Sequence, residues 1–241
     1  MIYRSHRGGA FYTPENTMPA FRDAVAQGFE IIETDPQCTK DGVIVLMHDN
    51  TINRTCRNAD GSVIEKTIRV SEATYAELLE YDAGIAKGEE FRHTPSPRIE
   101  ELLELLDGTD IILSLDKKVY LDQIDILLDT VARYNVTVEF SCADLVRIQK
   151  ILKRLPNALI NYDGSNTEED LLAVRKLVPR ERLTVFVYLD KPNFAWLVDR
   201  DKASPEVCAR VKKYATLGIA NVCNPYDVRE AILLGADIVE V

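Results

Sequence analysis

Short apolar runs alternate with amphipathic stretches from one end of the chain to the other. The predicted strands are residues 2–6, 30–35, 110–116, 137–140, 158–162, 183–189, 218–223 and 237–241. Apolar positions recur at helical spacing in residues 18–26, 99–106, 121–134, 143–155, 168–177, 205–217 and 225–234. Strands that alternate with helices indicate repeated βα units and a parallel sheet. Eight of them in 241 residues predict an α/β fold, a (β/α)8 TIM barrel.

One long segment, residues 50–97, does not follow this alternation because it is polar and interrupted by glycine and proline. We expect an insertion after the second strand, on the face where such barrels carry their sites. Within it, residues 70–79 predict a short helix capped by Ser71. His93 is predicted to be an exposed loop residue. The whole chain, residues 1–241, is expected to be one domain.

Histidines and acidic residues are concentrated near the ends of the first apolar runs. His6, Glu33, Asp35 and His48 all fall in the first fifth of the chain. Residues two apart in a strand point to the same face, so the two carboxylates can converge on one ion. Carboxylates without cysteine favour Mg²⁺ or Ca²⁺ as the cofactor. Histidines titrate near neutrality, so the combination suggests metal-assisted attack on a phosphorus centre.

Each of these residues, taken singly, has an equally good structural explanation. The two carboxylates fit a polar strand face, and both histidines fit satisfied side chains at strand ends. The coincidence of all of them in one short region favours a functional site.

Five sequence blocks then occur in a fixed order. They are His6-Arg7-Gly8-Gly9, Pro14-Glu15-Asn16-Thr17, Ile32-Glu33-Thr34-Asp35, Thr39-Lys40-Asp41-Gly42 and His48-Asp49-Asn50-Thr51, the last followed by Arg54-Thr55. Their order and spacing resemble the glycerophosphodiester phosphodiesterase family, and a looser resemblance continues to the end of the chain. The resemblance implies hydrolysis of a glycerophosphodiester to glycerol phosphate and an alcohol.

Position by position, the resemblance also implies a set of functional residues. The set comprises the catalytic histidines His6 and His48, the metal ligands Glu33, Asp35 and Asp116, and the phosphate-binding cations Arg7 and Lys118. Three features depart from the family pattern. Asp116 replaces the usual glutamate, residues 219–224 lack the family's tryptophan, and Glu240-Val241 replaces its threonine and aspartate.

Two other functions remain open at this point. One is a related barrel phosphodiesterase that acts on lysophospholipids or inositol phospholipids, which would require an apolar entry surface near the insertion. The other is a noncatalytic barrel that keeps a phosphate-binding pocket. The three departures from the family pattern motivate this second alternative.

The composition of the chain limits the kinds of molecule that it is expected to bind. A formal net charge of −10 argues against general nucleic-acid binding, although local cations and a metal still permit a small anionic diester. No apolar run approaches the roughly 20 residues of a membrane span.

Two features of the sequence bear on the cellular compartment. Five cysteines without paired spacing suggest free thiols, and the short stretch before His6 leaves no room for a leader. We therefore expect a cytoplasmic protein.

The chain ends directly after the eighth predicted strand. A barrel of this kind normally covers that flank with a final helix, so we expect an apolar stripe suited to burial against a second subunit. We therefore hypothesise a homodimer.

Overall fold

The computed structural model describes residues 1–9, 11–192 and 201–241. The described residues form twelve strands. These are β1 (Ile2–Ser5), β2 (Ile31–Thr34), β3 (Pro36–Cys38), β4 (Ile44–Leu46), β5 (Arg57–Asn58), β6 (Tyr81–Asp82), β7 (Ile112–Leu115), β8 (Thr137–Cys142), β9 (Leu159–Tyr162), β10 (Leu183–Tyr188), β11 (Thr216–Ala220) and β12 (Ile238–Glu240). Eight of them close into a barrel in the order β1-β12-β11-β10-β9-β8-β7-β2.

Helices lie between the barrel strands, as in a (β/α)8 barrel. They are α1 (Met18–Gln27), α2 (Tyr75–Leu78), α3 (Ile99–Leu106), α4 (Ile124–Val131), α5 (Leu145–Arg154), α6 (Glu168–Arg175), α7 (Pro205–Tyr214) and α8 (Pro225–Leu233). Polar residues begin several of them: Asp144 caps α5, and Ser204 caps α7. The predicted barrel is confirmed.

Contacts between residues divide the chain into two compact units. The first unit consists of Met1–Arg4 and Thr137–Val241 and contains six barrel strands. Its interior carries a buried cation, Arg4, whose guanidinium pairs with Glu139 and Glu240 and lies over the Phe186 ring. A buried arginine requires such partners because an unpaired charge away from water is costly.

The second unit, Ser5–Val136, contains β2, β7 and the segment that joins them. In this unit β2 and β7 pair in parallel, with Glu33 opposite Ser114 and Thr34 opposite Leu115. The joining segment forms two antiparallel hairpins, β3 with β4 and β5 with β6. It is built on a small apolar core of its own. That core consists of Val45, Met47, Ile52, Cys56, Ile64, Val70, Ala73, Leu78 and Ala83.

The predicted helix over residues 70–79 is wrong in its extent and its cap. Residues Val70–Glu72 form one turn of 3₁₀ helix, Ala73 is extended, and α2 begins only afterwards. Thr74, not Ser71, is the cap, because Thr74 and Glu77 form a reciprocal capping box. The stronger capping signal three residues downstream therefore decides where this helix starts.

Two further expectations concern the cysteines and the membrane. All five cysteines are free thiols, and four of them are buried. Among the helices of the described residues, none has the length and apolarity to cross a bilayer.

Gly8 provides a test of how tightly the turn after β1 packs on α1. Gly8 has φ +79°, and an added Cβ would lie 2.7 Å from Cδ1 of Phe21, which is fully buried. Gly9 has φ +100° but has open space around its Cα. We expect Gly8→Ala to lower the free energy of unfolding by about 1–3 kcal/mol more than Gly9→Ala, because overpacking adds to the backbone strain that both share. Urea unfolding of the two variants measures this difference, and equal losses would contradict it.

Candidate functional site

Acidic side chains lie where two paired strands of the second unit end. Glu33 is the third residue of β2, Asp35 follows that strand, and Asp116 follows β7. The backbone N–H of Asp116 donates to the carbonyl oxygen of Thr34 at 3.0 Å, so Asp35 and Asp116 come directly after the last paired residues. Glu33 and Asp35 are 7% and 2% exposed. Buried carboxylates require hydrogen-bond donors or cations.

Arg7 supplies both a donor and a charge. It lies in the 3₁₀ turn His6–Gly8 with φ 52°, a left-handed conformation that is unfavourable for a residue other than glycine. In this conformation its backbone N–H donates to Oε2 of Glu33 at 2.9 Å. Its Nε lies 3.6 Å from Oδ2 of Asp35, and its NH1 donates to Glu15 at 3.0 Å. The strained turn therefore aims one residue at three carboxylates.

Asn16 holds Asp35 from the other side. Its Nδ2 donates to Oδ2 of Asp35 at 2.8 Å, and its Oδ1 accepts a hydrogen bond from the hydroxyl of Thr34 at 2.7 Å. Asn16 is 2% exposed and also has a positive φ, 55°, which asparagine tolerates better than most residues. The side chain thus fixes the Asp35 carboxylate relative to β2.

Lys118 joins the carboxylates of the two strands. Its Nζ lies 3.6 Å from Oδ1 of Asp35 and 3.6 Å from Oδ2 of Asp116. Asp35 and Asp116 therefore face one cation, which here is an ammonium group of the chain. Across the described ranges, no three His, Cys, Asp or Glu side chains are close enough together to share a metal ion. The expected ligand set of Glu33, Asp35 and Asp116 stays a prediction: in the described residues, Asp35 and Asp116 share the Lys118 ammonium.

The loop that carries His48 follows β4 and is attached to the same strands. The N–H of Met47 donates to the carbonyl oxygen of Asp35 at 2.9 Å. Gln37, on β3, donates from Nε2 to the carbonyl oxygens of Met47 and Asp49, both at 2.6 Å. The backbone on either side of His48 is therefore tied to one buried amide.

An acidic neighbour holds the His48 ring. Its Nδ1 lies 2.7 Å from Oδ1 of Asp49. Hydrogen bonds from Arg54, reinforced by His48, lower the pKa of Asp49 to about 2 although partial burial acts in the opposite direction. Burial also opposes ionisation of Glu15, but hydrogen bonds and charges from Arg54 and Arg7 outweigh it and keep its pKa below the usual value. Both carboxylates are thus ionised at neutral pH.

Several residues that contribute to the site lie in or next to the sequence blocks, but the sequence alone does not indicate their roles. Glu15 and Asn16 belong to the second block, Asp49 to the fifth, and Arg54 follows it. The only sequence feature that points to them is their place in or beside a block. Hydrophobic periodicity does not identify a side chain whose role is to position its neighbours. His6, one of the two predicted catalytic histidines, is partly buried in the turn after β1, and the third histidine, His93, is exposed as predicted.

The fold and these residues define a (β/α)8 barrel with a charged site, rich in carboxylates and cations, at the ends of its strands. Residues 6–219 match the model of the glycerophosphoryl diester phosphodiesterase family. The chain belongs to this family.

Individual relatives agree with this assignment. A glycerophosphodiester phosphodiesterase of Caldanaerobacter subterraneus is 38% identical over 114 residues, which are 47% of this chain and 44% of the relative. Glycerophosphodiester phosphodiesterase 1 of Rattus norvegicus is 52% identical over 58 residues, 24% of this chain and 17% of the relative. These alignments therefore span less than half of each curated relative.

Solved structures share the fold over the whole chain. The glycerophosphodiester phosphodiesterase of Agrobacterium tumefaciens has a TM-score of 0.70 at 20% identity, covering 100% of this chain and 95% of that one. An Oleispira antarctica phosphodiesterase, solved in complex with the product sn-glycerol-3-phosphate, has a TM-score of 0.79 at 18% identity, covering 100% and 92%.

The depressed pKa of Asp49 predicts how its contribution to stability depends on pH. Its value of about 2 in the folded protein lies below the roughly 3.9 of an unfolded chain, so the ionised group stabilises the fold above about pH 4. This contribution is lost as the pH falls towards 2. We expect the difference in free energy of unfolding between wild type and Asp49→Asn to be smaller at about pH 3 than at about pH 7. Urea titrations measure it, and a difference that grows on acidification would refute the assignment.

Proposed function

We propose that this protein hydrolyses glycerophosphodiesters to glycerol phosphate and an alcohol, using a divalent cation and two histidines. One observation carries the proposal: Arg7 and Lys118 converge on the carboxylate of Asp35, each with a cationic atom 3.6 Å from it. Such a site suits a phosphate bound together with a metal ion. The negative phosphate complements the two cations, and the positive metal ion complements the buried carboxylates.

Arg7 is suited to bind the phosphate. Its Nε is buried, and among the described residues no acceptor lies within hydrogen-bonding distance of it. An unsatisfied guanidinium donor is costly to bury, so a phosphate oxygen within reach would be a favourable acceptor. Lys118, which is 22% exposed, would contribute a second positive charge.

The donor types at the strand ends fit a hard divalent cation. Glu33, Asp35 and Asp116 offer carboxylate oxygens and no thiolate, as Mg²⁺ and Ca²⁺ prefer. These three residues would hold the ion, and the Lys118 ammonium would turn from the carboxylates towards the phosphate. When bound, the ion supplies charge neutralisation at the nonbridging oxygens of the phosphate.

His6 and His48 are suited to the proton transfers. One imidazole would take a proton from the nucleophile, which is either water or the hydroxyl group of the glycerol moiety. The other would donate a proton to the departing alcohol, whose oxygen is otherwise a poor leaving group. Names of the relatives and the product complex of the Oleispira enzyme support this class of reaction.

Turnover of glycerophosphocholine and glycerophosphoethanolamine with Mg²⁺ or Ca²⁺ tests the proposal. We expect His6→Ala and His48→Ala each to lower kcat by on the order of 10² or more, because each removes a general acid or base. His93→Asn is the matched control: His93 is exposed and has φ 67°, which asparagine tolerates. Either alanine variant retaining the kcat of the control would exclude that histidine from the reaction.

Asp116 is predicted to act through the cation. We expect Asp116→Asn to raise the metal concentration that gives half-maximal activity by on the order of tenfold, because a neutral amide is a weaker ligand. Asp110→Asn, an exposed aspartate before β7, serves as the control. Activity is measured against metal concentration set with a chelator. Identical curves for the two variants would show that Asp116 does not bind the ion.

An exposed aromatic pair favours a second candidate, a diester whose alcohol carries an apolar chain. Phe11 and Tyr12 are 79% and 75% exposed and pack edge to face at 4.7 Å. The carbonyl oxygen of Phe11 accepts a hydrogen bond from Lys87 of the joining segment at 2.8 Å. A lysophospholipid assayed below and above its micellar concentration separates the two candidates. Turnover that rises sharply with micelles, and falls in Phe11→Ser, would favour the lipid substrate.

A further inference from the structure

The guanidinium of Arg54 lies between two carboxylates and is hydrogen-bonded to both oxygens of each. Towards Asp49, Nε donates at 2.7 Å and NH2 at 3.1 Å. Towards Glu15, NH1 donates at 2.8 Å and NH2 at 2.7 Å. Arginine is the side chain whose planar fork allows such an arrangement, since a lysine ammonium has no fixed plane.

Each of the two carboxylates also contacts a residue that the proposed reaction uses. Asp49 holds Nδ1 of the His48 ring at 2.7 Å, and Glu15 holds NH1 of Arg7 at 3.0 Å. The five side chains form a row in which two arginines alternate with two carboxylates and which ends at an imidazole: Arg7, Glu15, Arg54, Asp49 and His48. Arg54 is the central member, and it links two loops whose carboxylates are far apart in sequence.

A contribution to stability, such as the one expected of ionised Asp49, does not by itself account for this arrangement. The Arg54 side chain is 47% exposed, and ion pairs open to solvent contribute little to folding. Two bidentate contacts do restrict orientation, however, because four hydrogen bonds must be satisfied together. The consequence of the arrangement is therefore geometric: it holds two loops at a fixed separation.

The same contacts determine which nitrogen of His48 carries a hydrogen. Asp49 accepts hydrogen bonds from Arg54 through both oxygens, which keeps the carboxylate ionised, and an ionised carboxylate accepts but cannot donate. Nδ1 of His48 must then be the donor in the 2.7 Å contact. In the neutral ring, Nε2 is consequently the basic nitrogen, the one able to exchange a proton with a substrate.

We propose that Arg54 is a positioning residue, which through Asp49 fixes the orientation and tautomer of His48 and through Glu15 fixes the Arg7 guanidinium. This inference rests on the proposed function for its consequence in catalysis, but the tautomer of His48 is independent of any substrate.

The test compares Arg54→Lys with Arg92→Lys in the full-length protein. Both substitutions keep the charge and remove an exposed bidentate pair, since Arg92 donates to both oxygens of Glu89. We expect kcat for glycerophosphocholine to fall at least about tenfold in Arg54→Lys, because a displaced acid or base mainly affects the reaction step. KM should rise as well, because the Glu15 carboxylate that holds the Arg7 guanidinium loses its own support. Arg92→Lys should keep the wild-type kcat, and both variants should remain folded under the assay conditions, which circular dichroism checks.

Nitrogen-15 NMR of the imidazole rings provides the second readout. In the wild type at a pH where the ring is neutral, His48 should show one tautomer with hydrogen on Nδ1, and Arg54→Lys and Asp49→Asn should each shift it towards a mixture. The three histidines are assigned with single variants. The kcat losses of Arg54→Lys and Asp49→Asn should also be strongly non-additive in the double variant.

Three results would overturn the proposal. They are a wild-type kcat in Arg54→Lys, a wild-type His48 signal with hydrogen on Nε2, and fully additive losses in the double variant. If the wild type turns over no diester with any metal, the proposed function fails while the NMR comparison still decides the role of Arg54. A His48 tautomer unchanged by Arg54→Lys would then reject that role.

Discussion

Neutralisation of the two buried carboxylates at the end of β2 is the constraint on which the site depends. Glu33 and Asp35 are withdrawn from water, and an isolated carboxylate in such a place would be protonated instead. The chain meets this cost with the backbone N–H of Arg7, the amide of Asn16 and the ammonium of Lys118. Left-handed backbone at Arg7 and Asn16 follows, because extended conformations would aim these donors elsewhere. The strain is thus local, and the interactions it permits offset it.

Strands position some residues of the site and loops position others, and the loop residues need additional contacts because loops are less rigid. The carboxylates lie on or next to β2 and β7, whose parallel register sets Asp116 beside Asp35. His48 lies on a loop, so it needs further attachment, which Gln37 gives to the backbone and Asp49 to the ring. Loops without such contacts sample several orientations, whereas strands in a barrel do not. The orientation of the His48 ring therefore depends on side chains outside the strands, whereas the carboxylates are positioned by the strands themselves.

The barrel could be predicted from the sequence because each strand is a short apolar run and each helix has an amphipathic period. The segment between β2 and α3 could not, because its hairpins β3 with β4 and β5 with β6 have two or three residues per strand. Runs so short carry no clear period, and the core around Ile52 and Leu78 is assembled from isolated apolar residues. The helix near residue 75 starts later than Ser71 predicts because Thr74 and Glu77 form a reciprocal capping box, a local interaction that outweighs the single serine.

For the site, residue types and order in the sequence identified the charged groups but not their partners. Nothing in the spacing of Glu15, Asp49 and Arg54 indicates that one guanidinium joins the two carboxylates, because the contact depends on how two loops fold back. The same holds for Asp116, one methylene shorter than the family's glutamate. Its carboxylate nevertheless shares the Lys118 ammonium with Asp35, so the shorter side chain still reaches a cation placed between the two strands.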